Sequence, residues 1–445
     1  MQLYQSLLYN LEVHMKKGGL QPEGYIPRLI DSELSRRLDN IGAVEVAGTM
    51  WCGKTWTSLA YGESITRIGN QSTRIAAEAD PGIALLGDKP HVIDEWQDVP
   101  AIWDEVRASV DQNAGQAGQY ILTGSTQPHK DEVHHSGAGR ISTLRMRTMS
   151  LQETGNSKAC VSLAGLFRGE FTPQPINQSL SPIVEYIYRG GWPALNNKTQ
   201  KDSSLFLDSY FDAVFEVNIP RFGLNGSDAR KVARSLARNL GSAPKLSTIS
   251  QDAGFDISNS KASNEKASSY IRAFEQLYMI EGITGWDAPI RSKTRLRLKP
   301  KYYFSDPSLA ANLLGVTQER ILEEGQLFGV LFESLCMHDL AVYSSVLPGA
   351  GLEPLHYYRD SDGLEVDAII ELKDGRWGAI EIKLGENKFE DAAKSLLRLR
   401  SKVLSNPLSN NQEPTFMAML VGAGEFARQD KETGIYIIPL TALGA

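Results

Sequence analysis

A chain of 445 residues is too long for one ordinary hydrophobic core, and a prior of roughly 150 residues per domain points to about three. Its apolar fraction of 42% suits a globular protein, and its net charge of −7 excludes one that coats nucleic acid with its whole surface, though not a local basic patch. The cysteines Cys52, Cys160 and Cys336 are far apart, odd in number and lack CxxC spacing, so neither a disulfide framework nor a zinc site is indicated and a reducing cytoplasm is the expected location.

The start, "MQLYQSLLYNLEVHMKKGGL", has no basic stretch followed by a long apolar run, and 18 consecutive apolar residues occur nowhere. Neither secretion nor a membrane span is expected. Residues 1–25 read as an N-terminal extension. From "YIPRLIDSELSRRLDN" an amphipathic helix leads into "AVEVAG", which with "HVIDEW" and "QYILTGS" reads as buried strands alternating with helices such as "AIWDEVRASVDQN". That alternation predicts a parallel α/β sheet, placed at residues 26–165. Residues 166–227 read as a helical lid or linker with a turn at "RGGWPAL".

Residues 228–305 offer three helical runs and then two strand-like runs, "EGITGW" and "TRLRLKPKYYF", an order that suits a winged helix-turn-helix. Residues 306–445 open with a long helix, "GQLFGVLFESLCMHDLAVYSSV", and continue with the hairpin "GLEVDAIIELKDGRWGAIEIKLG". A helix, "FEDAAKSLLRLRSKVL", and two strands close the chain. The fold class is therefore a multidomain α/β protein.

The run "GTMWCGKT" after an apolar strand and before a helix supplies GxxxxGKT in the context of a P-loop. Gly48 and Gly53 let the backbone fold tightly, so that the loop through Thr49, Met50, Trp51 and Cys52 can surround the phosphates of ATP. Lys54 would reach the β- and γ-phosphates, and Thr55 would place its hydroxyl on Mg²⁺. In "HVIDEWQDVP", Asp94 would hold the same ion and Glu95 would orient the attacking water. A helix N-cap is the plain alternative there. Thr123 and Ser125 end a third strand where a polar group can sense the γ-phosphate. Arg140, on the loop "HHSGAGR", is an arginine-finger candidate, acting in cis or from a neighbouring subunit, with Arg145 and Arg147 as alternatives and an ordinary surface arginine about as good a reading. His134 and His135 read as a solvated loop.

In "IELKDGRWG" a three-residue loop, Lys373 to Gly375 with Gly375 left-handed, pairs Leu372 with Arg376 and sets Asp367 opposite Glu381. Lys383 then shares their face, while Ile380 and Ile382 point into a core. A two-residue turn would move Asp367 to the opposite face from Glu381. Opposed carboxylates repel unless a cation or proton lies between them. Asp367, Glu381 and the carbonyl of Ile382 could therefore form an open Mg²⁺ or Mn²⁺ site, with Lys383 neutralising developing charge and Glu333 completing the set. Glu365 and Glu371 read as solvated.

In "IRSKTRLRLKPKYYF", Arg291, Lys293, Arg295, Arg297, Lys299 and Lys301 occupy alternate positions, so a strand there carries all six charges on one face, suited to nucleic-acid phosphates. A solvated edge strand guarded by like charges is the other reading.

With these residues in place, the chain resembles the bacterial and archaeal P-loop proteins that pair an AAA-type ATPase domain with a C-terminal domain called DUF4143. The resemblance rests on "YIPRLID", "WCGKT", "IDEWQ", "ILTGS", "HSGAGR", "RGGWP", "KYYFSDPSLAANLLG", "FESL", "YYRDSDGLEVDAIIEL" and "AIEIKLG". It implies a PD-(D/E)XK nuclease-like C-terminal fold, with Glu333, Asp367, Glu381 and Lys383 at its helix-acid, strand-acid and ExK positions. The expected function is an ATP-hydrolysing protein that binds DNA through a winged helix and carries a metal-dependent nuclease-like domain. A regulatory or signalling ATPase whose C-terminal domain binds without cutting is the alternative. DNA is the expected partner, a homo-oligomer is allowed for, and no membrane is involved.

Overall fold

The computed structural model describes residues 19–127, 135–196, 200–289, 292–409 and 412–445. Most of the N-terminal extension, together with His134 and Arg291, lies outside the described residues. The chain forms two compact units. The first runs to Thr148 and takes in Gln276–Tyr278; the second holds the remainder.

In the first unit, β1 (Ala43–Ala47), β2 (Ser64–Arg67), β3 (His91–Asp94), β4 (Tyr120–Gly124) and β5 (Ile141–Arg145) form a sheet in the order β2-β3-β4-β1-β5. Every pairing is parallel. β1 and β4 are buried along their whole length, which is why they read as unbroken apolar runs. The register sets Ala47 beside both Gly124 and Arg145, and Asp94 beside Thr123. All of these lie at the carboxyl edge of the sheet, where open α/β sheets bind ligands. Glu45 interrupts the apolar centre of β1, but Trp96 Nε1 and Thr143 Oγ1 donate to its carboxylate at 3.1 and 2.7 Å. Gln276–Tyr278 join this unit through Gln127 N–H, which donates to the Gln276 carbonyl at 2.9 Å, and through the Arg145 guanidinium over the Tyr278 ring.

The second unit adds β6 (Val161–Ser162), β7 (Gln174–Gln178), β8 (Ile280–Ile283), β9 (Gly285–Trp286), β10 (Lys301–Phe304), β11 (Ala350–Arg359), β12 (Glu365–Leu372), β13 (Trp377–Gly385), β14 (Phe416–Gln429), β15 (Tyr436–Pro439) and β16 (Leu443–Gly444). Its large mixed sheet runs β15-β14-β13-β12-β11-β9, with β7 also pairing β14. The helix Gly325–Ser345 is apolar enough to span a membrane by composition, yet its side chains are mostly buried inside this unit. The helix Phe389–Ser405 buries Ala392, Leu396, Leu399 and Val403, one apolar stripe at helical spacing.

The structure departs from expectation in three stretches. Met149 to 165, the end of the segment read above as the ATPase domain, packs in the second compact unit: Leu151 N–H donates to Asp339 at 3.2 Å, and β6 pairs with β16. The segment 166–227 is not helical throughout, since β7 joins the second unit's sheet.

The basic stripe is not a strand. Lys293–Arg297 is a short helix, and only Lys301–Phe304 is extended. Arg295 lies over the Trp286 ring and makes a forked ion pair with Glu371 at 2.7 and 2.8 Å. Lys301 is 3% exposed and pairs with Glu365. Tertiary partners override the alternation here: Arg295 and Lys301 are drawn to acids distant in the chain, and it is Lys301 rather than its carboxylate that is buried and so needs a partner. Those acids are Glu371, half-buried, and Glu365, which stays partly solvated while it pairs.

The turn "RGGWP" gives a direct test. A Cβ on Gly191 would come within 1.9 Å of the Met149 carbonyl oxygen, whereas one on Gly351 in β11 meets nothing within 4 Å. Gly191→Ala should lower the unfolding free energy by roughly 2–4 kcal/mol and Gly351→Ala should leave it within about 0.5 kcal/mol. Urea denaturation followed by tryptophan fluorescence checks this; equal midpoints would contradict the packing.

Candidate functional site

The loop after β1 has the backbone its sequence requires. Gly53 has φ 106° and Trp51 φ 63°, and a Cβ on Gly48 would sit 2.1 Å from the Met146 carbonyl oxygen. Only glycine fits Gly48, and Gly53 lies where glycine is favoured. Lys54 is 4% exposed, and its ammonium donates to the Thr49 carbonyl at 2.8 Å, so it lies within the loop. Thr55 opens the helix Lys54–Leu59, and its Oγ1 donates to Asp94 Oδ1 at 2.7 Å. Thr123 Oγ1 donates to the same oxygen at 2.6 Å and accepts the Glu95 N–H at 3.2 Å. Glu95 stands at φ 58°, ψ 47°, a left-handed residue, and Ser125 Oγ donates to its Oε2 at 3.0 Å. Thr55, Asp94, Glu95, Thr123 and Ser125 are thus one hydrogen-bonded group.

Arg140 is not part of it. It directly precedes β5, its carbonyl accepts the Ala43 N–H at the amino edge of the sheet, and its guanidinium pairs with Asp111 at 2.8 Å. The five-residue length of β5 puts about 16 Å between that edge and the phosphate loop. Arg145 lies at the carboxyl edge, beside Ala47, and Arg147 follows it, its carbonyl accepting from Arg28. His135 is exposed, and its carbonyl accepts from Trp103 Nε1 at 3.0 Å.

The residues that brace the loop escaped sequence reading. Arg28 is 5% exposed and donates from its two terminal nitrogens to the carbonyls of Cys52 and Arg147, each at 2.9 Å. Asp31 accepts the Arg28 N–H and the Tyr25 hydroxyl at 2.9 and 2.7 Å. The signal lay in "YIPRLID": an arginine and an aspartate at the start of a helix whose remaining charges are ordinary surface pairs.

In the second unit the hairpin has the odd loop. Leu372 N–H donates to the Arg376 carbonyl at 2.8 Å, Gly375 N–H to that of Leu372 at 2.9 Å, and Gly375 has φ 88°. The register runs Glu371 with Trp377 to Ala368 with Ile380, which brings Asp367 level with Glu381. Past that point the Ile382 N–H donates to Asp367 Oδ2 at 2.8 Å. The Lys383 ammonium lies 3.1 Å from Asp367 Oδ2 and 2.5 Å from Glu381 Oε2. Burial, and then the Asp367 charge, pushes the Glu381 carboxyl up to about 8, against the pull of Lys383. Burial opposes the Lys383 ammonium, but Asp367 and Glu381 outweigh it and hold its pKa above the ordinary lysine value. Ile380 and Ile382 are buried on the other face.

Glu333 comes from the helix Gly325–Ser345, but it does not complete a carboxylate set. Its Oε1 accepts the Tyr303 hydroxyl at 2.6 Å and lies 4.0 Å from the Lys301 ammonium. Burial and the Asp367 charge push it up to about 7. Among the described residues no three His, Cys, Asp or Glu side chains converge on a point that could hold an ion. Two hard carboxylates with room for water still suit Mg²⁺, which is usually held by one or two. That room exists: Asp367, Glu381 and Lys383 line a cleft of about 460 Å³.

Three family descriptions match the chain. Residues 42–155 match an AAA domain, 181–320 a domain of unknown function, DUF8612, and 328–443 a domain of unknown function, DUF4143. The AAA and DUF4143 matches are the pairing of domains that the sequence motifs resemble. Among solved structures, it is similar to a Walker-type ATPase of Pyrococcus abyssi, at 10% identity and TM-score 0.39 over 68% of this chain and 99% of that one. It is also similar to a variant of RuvB from Thermotoga maritima, at 16% identity and TM-score 0.30 over 59% and 93%. No curated protein matches it.

The Glu381 shift sets a pH dependence in metal-free buffer. Between its ordinary 4.5 and about 8 the folded chain keeps a proton that the unfolded chain has released, so stability falls as pH rises through that window. Glu381→Gln removes the titration, so its thermal midpoint in EDTA should fall less between about pH 5 and about pH 8 than that of the unaltered protein. Parallel curves would show that Glu381 is already ionised.

Proposed function

We propose that the protein binds and hydrolyses ATP at the loop Gly48–Thr55, and that its C-terminal cleft acts on nucleic-acid phosphodiesters. The observation that carries the first part is the single oxygen, Asp94 Oδ1, on which the loop hydroxyl of Thr55 and the strand hydroxyl of Thr123 both converge. Thr55 and Asp94 would hold Mg²⁺, which when bound neutralises charge on the β- and γ-phosphates. Lys54 binds those phosphates, and Glu95, steadied by Ser125 and Gln97, orients the attacking water. Arg145 and Arg147, near the same edge, are the candidates in this chain for stabilising charge there. The three cysteines are free thiols, which supports the cytoplasm as the place of action.

For the second part, support comes from Asp367, Glu381 and Lys383 meeting in one cleft. The two carboxylates would hold a divalent ion, which when bound supplies an activated water. Lys383 neutralises charge developing on the phosphate. The helices Gly226–Arg238, Leu246–Asp252 and Ser260–Gln276, followed by the antiparallel pair β8 and β10, support a winged-helix reading of this region as a DNA-binding element. A reading in which the C-terminal domain binds without cutting is favoured by one observation: Glu333 is tied to Tyr303 and Lys301 and so does not join Asp367 and Glu381.

Two experiments separate these parts. Lys54→Ala should weaken ATP binding roughly 10- to 100-fold, the scale of one lost charge-assisted contact, while Glu95→Gln should still bind and hydrolyse roughly 10²- to 10⁴-fold more slowly. Normal turnover in Lys54→Ala would remove the site assignment. Incubation with linear and supercoiled DNA and Mn²⁺ should give cleavage that Asp367→Ala abolishes; no difference between the two proteins leaves the binding-only reading.

A further inference from the structure

The helix Phe389–Ser405 forms one wall of the cleft that holds Asp367, Glu381 and Lys383, and it carries four cations, Lys394, Arg398, Arg400 and Lys402. Two of them are engaged. Arg400 forks onto Glu413 at 2.6 and 2.8 Å, and Lys402 reaches Asp360 and Asp362 at 2.5 and 2.6 Å. Lys394 and Arg398, one turn apart and therefore on one face, are exposed and have no carboxylate partner among the described residues. Both line the cleft. Asp391 lines it as well, but its charge lies 3.7 Å from the Lys388 ammonium.

We infer that Lys394 and Arg398 are the anion-binding wall of this cleft, and that they hold the phosphate backbone of a nucleic-acid strand against the Asp367–Glu381–Lys383 wall. This rests on the reading of the cleft as a phosphodiester site. The physical case is one of charge balance. Asp367 repels a polyanion, as does Glu381 once it is ionised, and Lys383 is already shared between them, so a strand enters only if other cations face it. Lys394 and Arg398 supply two charges that no ion pair among the described residues uses. In the sequence stripe, by contrast, Arg295 and Lys301 are committed to Glu371 and Glu365. The docking surface therefore moves from the stripe expected above to the helix Phe389–Ser405. The two side chains position the strand rather than take part in its chemistry.

The test is a salt titration of binding to fluorescein-labelled single-stranded poly(dT), read by anisotropy in EDTA so that cleavage plays no part. In the full-length protein, the double variant Lys394→Gln with Arg398→Gln should bind more weakly, and the slope of log K against log salt should flatten by about 1.4, the value for two lost phosphate contacts on a single strand. The double variant Lys293→Gln with Arg297→Gln should keep the original slope. If the first variant keeps affinity and slope while the unaltered protein binds, the assignment of the wall is overturned and the nucleic-acid reading stands. A loss confined to the second variant overturns it in favour of the stripe. If the unaltered protein does not bind, the nucleic-acid reading itself fails and this inference falls with it. Both side chains are exposed, so unchanged thermal midpoints are expected to show that the variants fold.

Discussion

Charge compensation out of water organises the second unit. Glu333, Glu365, Glu371, Asp367 and Glu381 stand on or beside a sheet whose other face is apolar, and a carboxylate there needs a cation, a proton or a hydrogen-bond donor. Lys383 lies between Asp367 and Glu381, Lys301 between Glu365 and Glu333, and Arg295 against Glu371. These contacts determine where β10 and the short helix before it lie, because Lys301 and Tyr303 alternate onto the Glu333 side of the strand. The same pairing leaves Glu333 and Glu381 with raised pKa values, since one lysine for each pair of acids under-compensates their burial.

The first unit relies on backbone contacts more than on charge. Its phosphate loop is pinned from outside by the Arg28 guanidinium, which reaches two carbonyls of neighbouring segments, and from beneath by the close approach of Gly48 to Met146. Asp94 and Glu95 are then oriented by Thr123 and Ser125 at the end of the next strand. A shift in either carboxylate is therefore felt by β4, and Gln127, two residues beyond Ser125, holds the Gln276 carbonyl. The site is preorganised because each polar group that would meet the nucleotide already has a second partner.

Features that depend on local chemistry were legible in the sequence. The GxxxxGKT loop, the parallel strands, and the three-residue hairpin loop with its register are all set by residues a few positions apart, through glycine conformations and side-chain periodicity. Asp367, Glu381 and Lys383 share a face because strand alternation and one turn count suffice to place them there. Arg28 was not legible, because nothing near it in the chain says that its partners are Cys52 and Arg147. That Arg140 lies away from its own phosphate loop was not legible, because a glycine-rich loop looks alike at either end of a strand.

The basic stripe shows where sequence reading stops. Alternation at six positions is a valid strand signal, yet a helix formed at Lys293–Arg297, and Arg295 and Lys301 turned to acids some 70 residues away. The sequence by itself determined the phosphate loop, the parallel sheet and the facing of the hairpin acids, since those depend on short-range geometry. The tertiary structure alone decided which cations remain available to a ligand. That choice depends on which distant carboxylates the fold brings beside the others, and such pairing is a property of the folded chain as a whole.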